Sequence, residues 1–248
     1  MTDRDGGLPL PPPPPPPDLI AGAGSGPVRP ISGLTTTLSI LVSVVGVLGV
    51  LFAAINETAL DEARSFLIGS LDEDRFVEAY GPALTIQLVQ SLAQLTAGIT
   101  VIVWMHRLVT NHRAVGRVGR WRPGWAIGGW FVPPLVLYVI PFLMFREIWR
   151  ASDPDSDDWQ NSPVAPVVTW WFVLFGALPL VFVAAQGIDG LGGLGTGAEA
   201  VATQAIDQRS TIWGSAVLNM AAAVAMVAMA RRIADRHRRL VGERNGRA

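Results

Sequence analysis

Four stretches of this chain, at residues 34–55, 82–105, 164–186 and 212–230, are long, apolar and free of charge. An α-helix needs roughly 20 such residues to cross a bilayer, and each stretch reaches or approaches that length. Inside lipid the backbone must satisfy its own polar groups, which leaves a helix as the simple solution for each. The chain therefore reads as an all-α integral membrane protein. Composition agrees: 50% of the residues are hydrophobic and 16% are charged, against about a quarter charged in a soluble domain.

The near-neutral total, −1, argues against a nucleic-acid partner but hides a segregation of sign. Residues 57–78 carry Glu57, Asp61, Glu62, Asp72, Glu73, Asp74 and Glu78 against Arg64 and Arg75. After the second apolar stretch come Arg107, Arg113, Arg117, Arg120 and Arg122 with no acid among them. The C-terminal tail carries Arg231, Arg232, Arg236, Arg238, Arg239, Arg244 and Arg247 against Asp235 and Glu243. All 19 basic residues are arginine, and there is no cysteine, so disulfides, thiolate metal sites and cysteine nucleophiles are excluded.

Residues 1–32 form a separate region, read as a disordered Pro/Gly-rich cytoplasmic tail. Pro9 and the prolines at 11–17 favour an extended polyproline II rod, and Gly22, Gly24, Gly26 and Pro27 loosen the remainder. It serves as a solvated spacer or as a docking segment for a proline-recognising protein. The opening Met1, Thr2, Asp3, Arg4 and Asp5 lacks the basic character of a secretory signal, so the first apolar stretch is expected to be a retained span.

Residues 123–145 also lack charge and are long enough to cross. Pro133, Pro134 and Pro141 interrupt them, removing backbone donors that a continuous helix needs. Arginine-rich flanks stay in the cytoplasm, and five crossings would put the two arginine clusters on opposite sides. Four crossings, with a Pro-broken re-entrant or in-plane hairpin over 123–150, put both clusters and both termini inside. The acidic loop and the glycine-rich loop at 187–211 then fall outside. The expected organisation is a membrane domain at 33–232 and a basic cytoplasmic tail at 233–248, in the plasma membrane.

The densest pattern is Trp104, His106-Arg107, Asn111, Ala114, Gly116, then Arg122-Pro123-Gly124-Trp125-Ala126-Ile127-Gly128-Gly129-Trp130-Phe131-Val132-Pro133, then Pro141 and Arg146-Glu147-Ile148-Trp149-Arg150-Ala151-Ser152. In these residues the chain resembles the bacterial membrane family known as domain of unknown function 4328. The resemblance covers roughly residues 34–232 and implies a multi-span membrane protein, without supplying an activity. One departure is the apolar run from Pro134 to Tyr138, where the resemblance implies a polar residue.

The same residues can be read physically. Trp121, Trp125, Trp130 and Trp149 bracket the expected hairpin, and tryptophan favours the headgroup zone. Arg120 and Arg122 precede it, Arg146 and Arg150 follow it, and guanidinium groups grip phosphate bidentately. Together with Arg107 they make a candidate surface for anionic lipid or for a phosphate-bearing partner. The alternative is plain anchoring that fixes depth and topology.

In the second stretch Gln87, Gln90, Ser91 and Gln94 share one helical face, suited to helix packing or to lining a solute path. Ser39, Ser43, Gly46, Gly49 and Ala53 make a small-residue stripe that admits a close neighbour. Gly190 to Gly195 fits G-x-G-x-x-G literally, but without a strand and helix around it the pattern reads as a loop. Asp153, Asp155 and Asp157 begin like a calcium loop, yet Asp158 and Val164 stand where glycine and glutamate are needed.

His106, His112 and His237 fall in no catalytic or metal-binding pattern, and the spans carry no ionisable residue at depth, as pumps usually do. No enzyme activity, cofactor or metal is expected. The favoured reading is an interaction, scaffold or regulatory membrane protein with an arginine- and tryptophan-rich cytoplasmic face. A small-solute transporter or channel subunit is the alternative, and an enzyme acting on lipid-linked substrates is third.

Overall fold

The computed structural model describes residues 26–131, 139–179 and 197–245. Three of its helices are long and apolar enough to cross a membrane: α1 (Ser32–Thr58), α3 (Glu73–Ala114) and α8 (Arg209–Asn245), the last qualifying over Arg209–Gly242. Between them lie α2 (Leu60–Leu67), the single turn α4 (Trp125–Gly128), α5 (Val139–Ala151), α6 (Pro166–Phe172) and α7 (Ala198–Asp207). No strand occurs among the described residues.

The sequence sets several of these boundaries. Asp72 caps α3, its Oδ1 accepting the Arg75 N–H at 2.8 Å, which satisfies one of the donors a helix start leaves free. Pro166 opens α6 at the position where a missing N–H costs nothing. Beyond Phe172 the helix loosens into a π turn at Val173–Ala177. α3 runs through Pro82 and well past both ends of the apolar stretch, so its outer turns carry the charges that a hydropathy reading assigns to loops.

Contacts between helix ends fix direction. Near the start of α1, Arg29 pairs with Asn111 at the end of α3, and Asn111 meets His237 late in α8. At the other end of α1, Asn56 accepts from Tyr80 Oη at 2.5 Å, and Glu57 binds Arg209 and Trp213 at the start of α8. α1 therefore runs antiparallel to α3 and α8. The bundle has one arginine-rich end and one acidic end.

The small-residue stripe of α1 is where its neighbours approach. A Cβ on Gly46 would stand 3.2 Å from Ala223 and Met220 of α8, and one on Gly49 3.2 Å from the Gln90 amide of α3. Ser39, Gly46, Gly49 and Ala53 are buried, whereas Ser43 is exposed. The main core lies towards the arginine-rich end, around Trp104, Phe145, Ile148, Trp171, Met229 and Ile233. Trp104 meets Phe145 at 6.3 Å, Phe145 meets Trp171 edge-on at 4.7 Å, and Trp171 stacks on Phe175 at 5.2 Å. Leu84, Leu88, Leu92, Leu95 and Ile99 of α3 are exposed, the outward apolar surface expected of a helix facing lipid tails.

Several sequence expectations fall partly or wholly outside the described residues: the proline run at 11–17, Pro133 and Pro134, the last part of the third stretch (180–186), most of the glycine-rich loop with its G-x-G-x-x-G pattern, and the final residues 246–248. Two others take a definite form. Residues 26–31, assigned by composition to the tail, are held against α3 through Arg29 and Pro30. The basic segment from residue 233 continues α8 as helix up to Asn245.

Candidate functional site

At the arginine-rich end the chain leaves α3 at Ala114, turns at Gly116 (φ 80°) and reaches Arg120 and Trp121. There it meets α5. Glu147 accepts the Arg120 N–H at 2.9 Å and the Trp121 N–H at 3.1 Å. The two sides of the residue 123–145 segment are thus tied by one carboxylate. A side chain on Gly119 would collide with that carboxylate and push it off its two backbone donors. The arms also touch further in, where a Cβ on Gly129 would lie 2.6 Å from Ile140 Cγ2.

This junction creates a cleft of about 330 Å³. Arg120, Arg146 and Arg150 line it, with Glu147, Trp121, Trp159 and Gln160. Three guanidiniums against one carboxylate leave a surplus of two positive charges, and the carboxylate is already spent on backbone donors. Each arginine is positioned. Arg120 lies 5.9 Å from the Trp121 ring centroid and Arg146 5.7 Å from that of Phe142, distances at which a ring face attracts a cation. Arg150 donates Nε to the Ser162 carbonyl at 3.0 Å.

The other candidate residues are elsewhere. Arg107 donates to the Pro30 carbonyl at 3.0 Å and so holds the chain's entry into α1. Arg122 is exposed, outside the cleft lining. Trp125 is exposed and meets Trp121 edge-on at 5.6 Å. Trp149 is buried beneath Arg236, whose Cζ lies 4.9 Å from its ring centroid. Trp130 does not sit at the bundle's end: it lines a cavity between the long helices with Val42, Gln94 and Asn219.

The polar face of α3 is divided as well. Gln90 packs on Gly49, Gln94 reaches that cavity, and Gln87 and Ser91 are exposed, Ser91 donating back to the Gln87 carbonyl.

Behind the cleft lies a buried polar junction that sequence reasoning missed. Asn111 brackets the Arg29 peptide, accepting its N–H at 3.0 Å and donating to its carbonyl at 2.7 Å. The same amide nitrogen is 3.2 Å from His237 Nε2, and His112 Nε2 is 3.0 Å from Ser152 Oγ. The two imidazoles meet edge-on at 5.3 Å. Arg117 donates to the Ala151, Asp153 and Ser156 carbonyls, closing the end of α5, and Arg236 pairs with Asp153 at 2.9 Å.

The charge-free part of α3 ends at Met105 and that of α8 at Ala230, so both histidines lie beyond the apolar segments. Burial, with His237 and Arg117 nearby, holds His112 well below the usual imidazole range, and burial lowers His237 to about 4. Both rings are neutral at physiological pH. Burial alone would raise Asp153, but hydrogen bonds from Ser162 and the Asp155 N–H, with Arg236, outweigh it and lower its carboxyl. Asn111, beside an arginine series, and Glu147, a lone acid between Arg146 and Arg150, were the available signals. The histidine pair joins residues 125 positions apart and left none.

Among the described residues no group of three His, Cys, Asp or Glu side chains is placed to hold a metal ion. The cleft can neutralise and hold an anion, and its lining offers no nucleophile paired with a base.

Fold and site define an all-helical chain whose three long apolar helices fit a membrane protein. The family model described as Domain of unknown function (DUF4328) matches residues 70–235, and the chain belongs to that family. No curated protein and no solved structure matches it.

Proposed function

We propose that the chain is a four-span plasma-membrane protein that binds the phosphate of an anionic lipid in the Arg120–Arg146–Arg150 cleft. It acts there, without catalysis, as an interaction or regulatory protein. The observation that carries this reading is the convergence of three arginines, from either side of residues 123–145, on one tryptophan-walled cleft. Guanidinium forks match phosphate oxygens, and indole rings suit the headgroup zone where lipid phosphates lie.

The four-span topology is supported by the helix ends. Glu147 ties both sides of the residue 123–145 segment to the arginine-rich end, which favours a hairpin over a crossing. Ser162, just before α6, is bound there by Arg150, whereas α7 packs with Leu60 and Phe76 at the acidic end. The chain thus passes from the arginine-rich end to the acidic end between Ser162 and α7, which supports a fourth span there. With arginines retained inside, both termini are cytoplasmic, and the proline-rich segment is available there to a proline-recognising partner.

Two experiments test the reading. The chain has no cysteine, so single cysteines report topology: Ser70→Cys should label from outside intact cells, and Val118→Cys and Asp157→Cys should not. External labelling of Asp157→Cys alone among the inner pair would make residues 123–145 a crossing. For binding, the full chain in nanodiscs is compared on phosphatidylglycerol, phosphatidylcholine, and phosphatidylcholine with added inorganic phosphate. Phosphatidylglycerol should be retained selectively and released by salt. Arg120→Ala/Arg146→Ala should lose it, the Lys pair should not restore it, and Arg122→Ala should keep it. Equal retention by all variants leaves anchoring as the arginines' role, and saturation by inorganic phosphate alone makes the ligand a soluble one.

A further inference from the structure

Of the three long helices α3 is the least covered: 11% of its most apolar part is buried, against 28% for α1 and 33% for α8. Its exposed surface is not uniformly apolar. Leu84, Gln87, Ser91, Gln94 and Gly98 are all exposed, and their spacing alternates between three and four residues. That alternation is the seam along which two helices pack as a left-handed pair. It runs about 21 Å along the helix axis, inside the apolar stretch 82–105. It ends where Tyr80 and Val101 turn into the chain's own core. Leu92 and Ile99, also exposed, lie roughly 110° further round the helix.

The seam carries polar groups that α3 does not satisfy by itself. Within the stretch, exposed hydroxyls bond back to their own helix: Thr85 to the Gly81 carbonyl at 2.9 Å, Ser91 to that of Gln87 at 2.9 Å and Thr96 to that of Leu92 at 2.8 Å. The side-chain amides of Gln87 and of Gln94, which stands at the rim of the cavity between the long helices, have no hydrogen-bond partner among the described residues. Lipid tails offer them none, and an amide left unsatisfied in an apolar medium is costly. Ser91 and Gly98 are small, and a Cβ on Gly98 would meet no atom within 4 Å. A neighbouring backbone can therefore come close.

The chemistry of the seam selects that neighbour. A carboxamide both donates and accepts, so it complements an identical carboxamide. Copies of one chain insert in one orientation, so their α3 helices run parallel and equivalent residues meet at equal depth. Gln87 then faces Gln87 of the second copy, and Gln94 faces Gln94 two turns further on, with Ser91 and Gly98 packed across the same line. An unrelated helix would need a matching polar group at both depths and room for the small residues between them. We propose that two copies of the chain associate side by side through this seam of α3.

The test uses the full chain in native membranes at low expression. The chain has no cysteine, so a single introduced cysteine can form a disulfide only with another molecule. Under copper phenanthroline, Leu84→Cys, Ser91→Cys and Gly98→Cys, which keep both glutamines, should each give a product of twice the chain's mass. Leu92→Cys and Ile99→Cys should give little. Association is then read by energy transfer between purified chains labelled at Gly242→Cys in phosphatidylcholine liposomes. Gln87→Leu/Gln94→Leu should weaken it about tenfold, the worth of two interhelical amide pairs. Gly98→Leu, for which the single chain has room, should weaken it at least as much without lowering the melting temperature in detergent. Thr85→Val, which removes an exposed hydroxyl off the seam, should change nothing. A chain that is monomeric in both measurements, cross-linking from Leu92→Cys or Ile99→Cys as strong as from the seam, adducts with other proteins alone, or association indifferent to the glutamine and glycine variants would overturn the proposal.

Discussion

The two ends of the bundle are both polar, yet they are built differently. At the arginine-rich end, polar side chains are buried and reach across the sequence: Asn111 binds the Arg29 peptide, His112 meets His237 and Ser152, and Arg117 gathers the carbonyls after α5. At the acidic end the ion pairs stay outside. Arg64 pairs with Asp61 one turn away, and Arg209 meets Glu57 on an exposed surface. A small apolar cluster of Leu60, Phe76, Tyr80, Ala202 and Ala205 holds α2 and α7 in place there. The difference matters because a buried hydrogen-bonding group left without its partner costs far more than an exposed ion pair contributes. The arginine-rich end is a fixed platform, and the acidic end is a cap held by a small apolar cluster and one buried hydrogen bond, from Tyr80 to Asn56.

The largest expected effect tests that contrast directly. Asn111→Ala strips partners from both polar groups of the Arg29 peptide and from His237, and should cost about 2–4 kcal/mol. Thermal unfolding in detergent checks it, and a melting temperature within a degree of wild type would mean that the junction is not what holds this end. The expected loss extends to the cleft, because α1's entry and α8 are both tied through this residue.

Next comes pH. His112 and His237 are neutral in the fold and held below their ordinary value, His237 at about 4. Between roughly pH 6.5, where an unfolded imidazole titrates, and pH 4, the unfolded chain binds protons that the folded chain refuses. Stability is therefore complete above pH 6.5 and falls as the medium is acidified, by up to about 3 kcal/mol for His237. His237→Gln should lessen the fall in melting temperature between pH 7 and pH 5, leaving the share that belongs to His112. A wild-type profile already flat over that range would show that the pair does not titrate as a buried neutral unit.

A smaller effect belongs to the acidic end. Tyr80→Phe removes the donor that binds buried Asn56 and should cost about 1–2 kcal/mol, measurable as a modest shift in the same unfolding curve. Smallest of all is Glu57→Ala. Its pair with Arg209 is exposed, so no measurable stability change is expected, and one as large as that of Asn111→Ala would erase the contrast between the two ends.

Several features were legible before any coordinates. Long charge-free stretches imply helices, and α1, α3 and α8 lie where those stretches predict them. The stripe of Gly46, Gly49 and Ala53 marked where α1 would be approached closely, since only small side chains let helix backbones near each other. Arg120, Arg146 and Arg150 were identifiable because arginine beside tryptophan at the flanks of an apolar segment is chemically specific. Their separation from Arg107 and Arg122, which sit outside the cleft, was not legible. Side-chain type says what a residue can bind, not which way its helix turns it.

By itself, the sequence determined the class: an apolar pattern of sufficient length leaves the backbone no choice but helix, and segregated charge gives the bundle two unlike ends. Tertiary structure alone decided which polar groups became partners. Asn111 and Arg29 are 82 positions apart, and His112 and His237 are farther still. No local periodicity links such residues. They meet because α1 lies antiparallel to α3 and α8, and once buried they draw on whatever the packing brings within reach: Asn111 for His237 Nε2 and Ser152 for His112 Nε2, with His237 Nδ1 left without a partner among the described residues. Trp130 makes the same point from the other side: composition assigns tryptophan to the membrane surface, and the chain's fold carried this one to a cavity between the long helices.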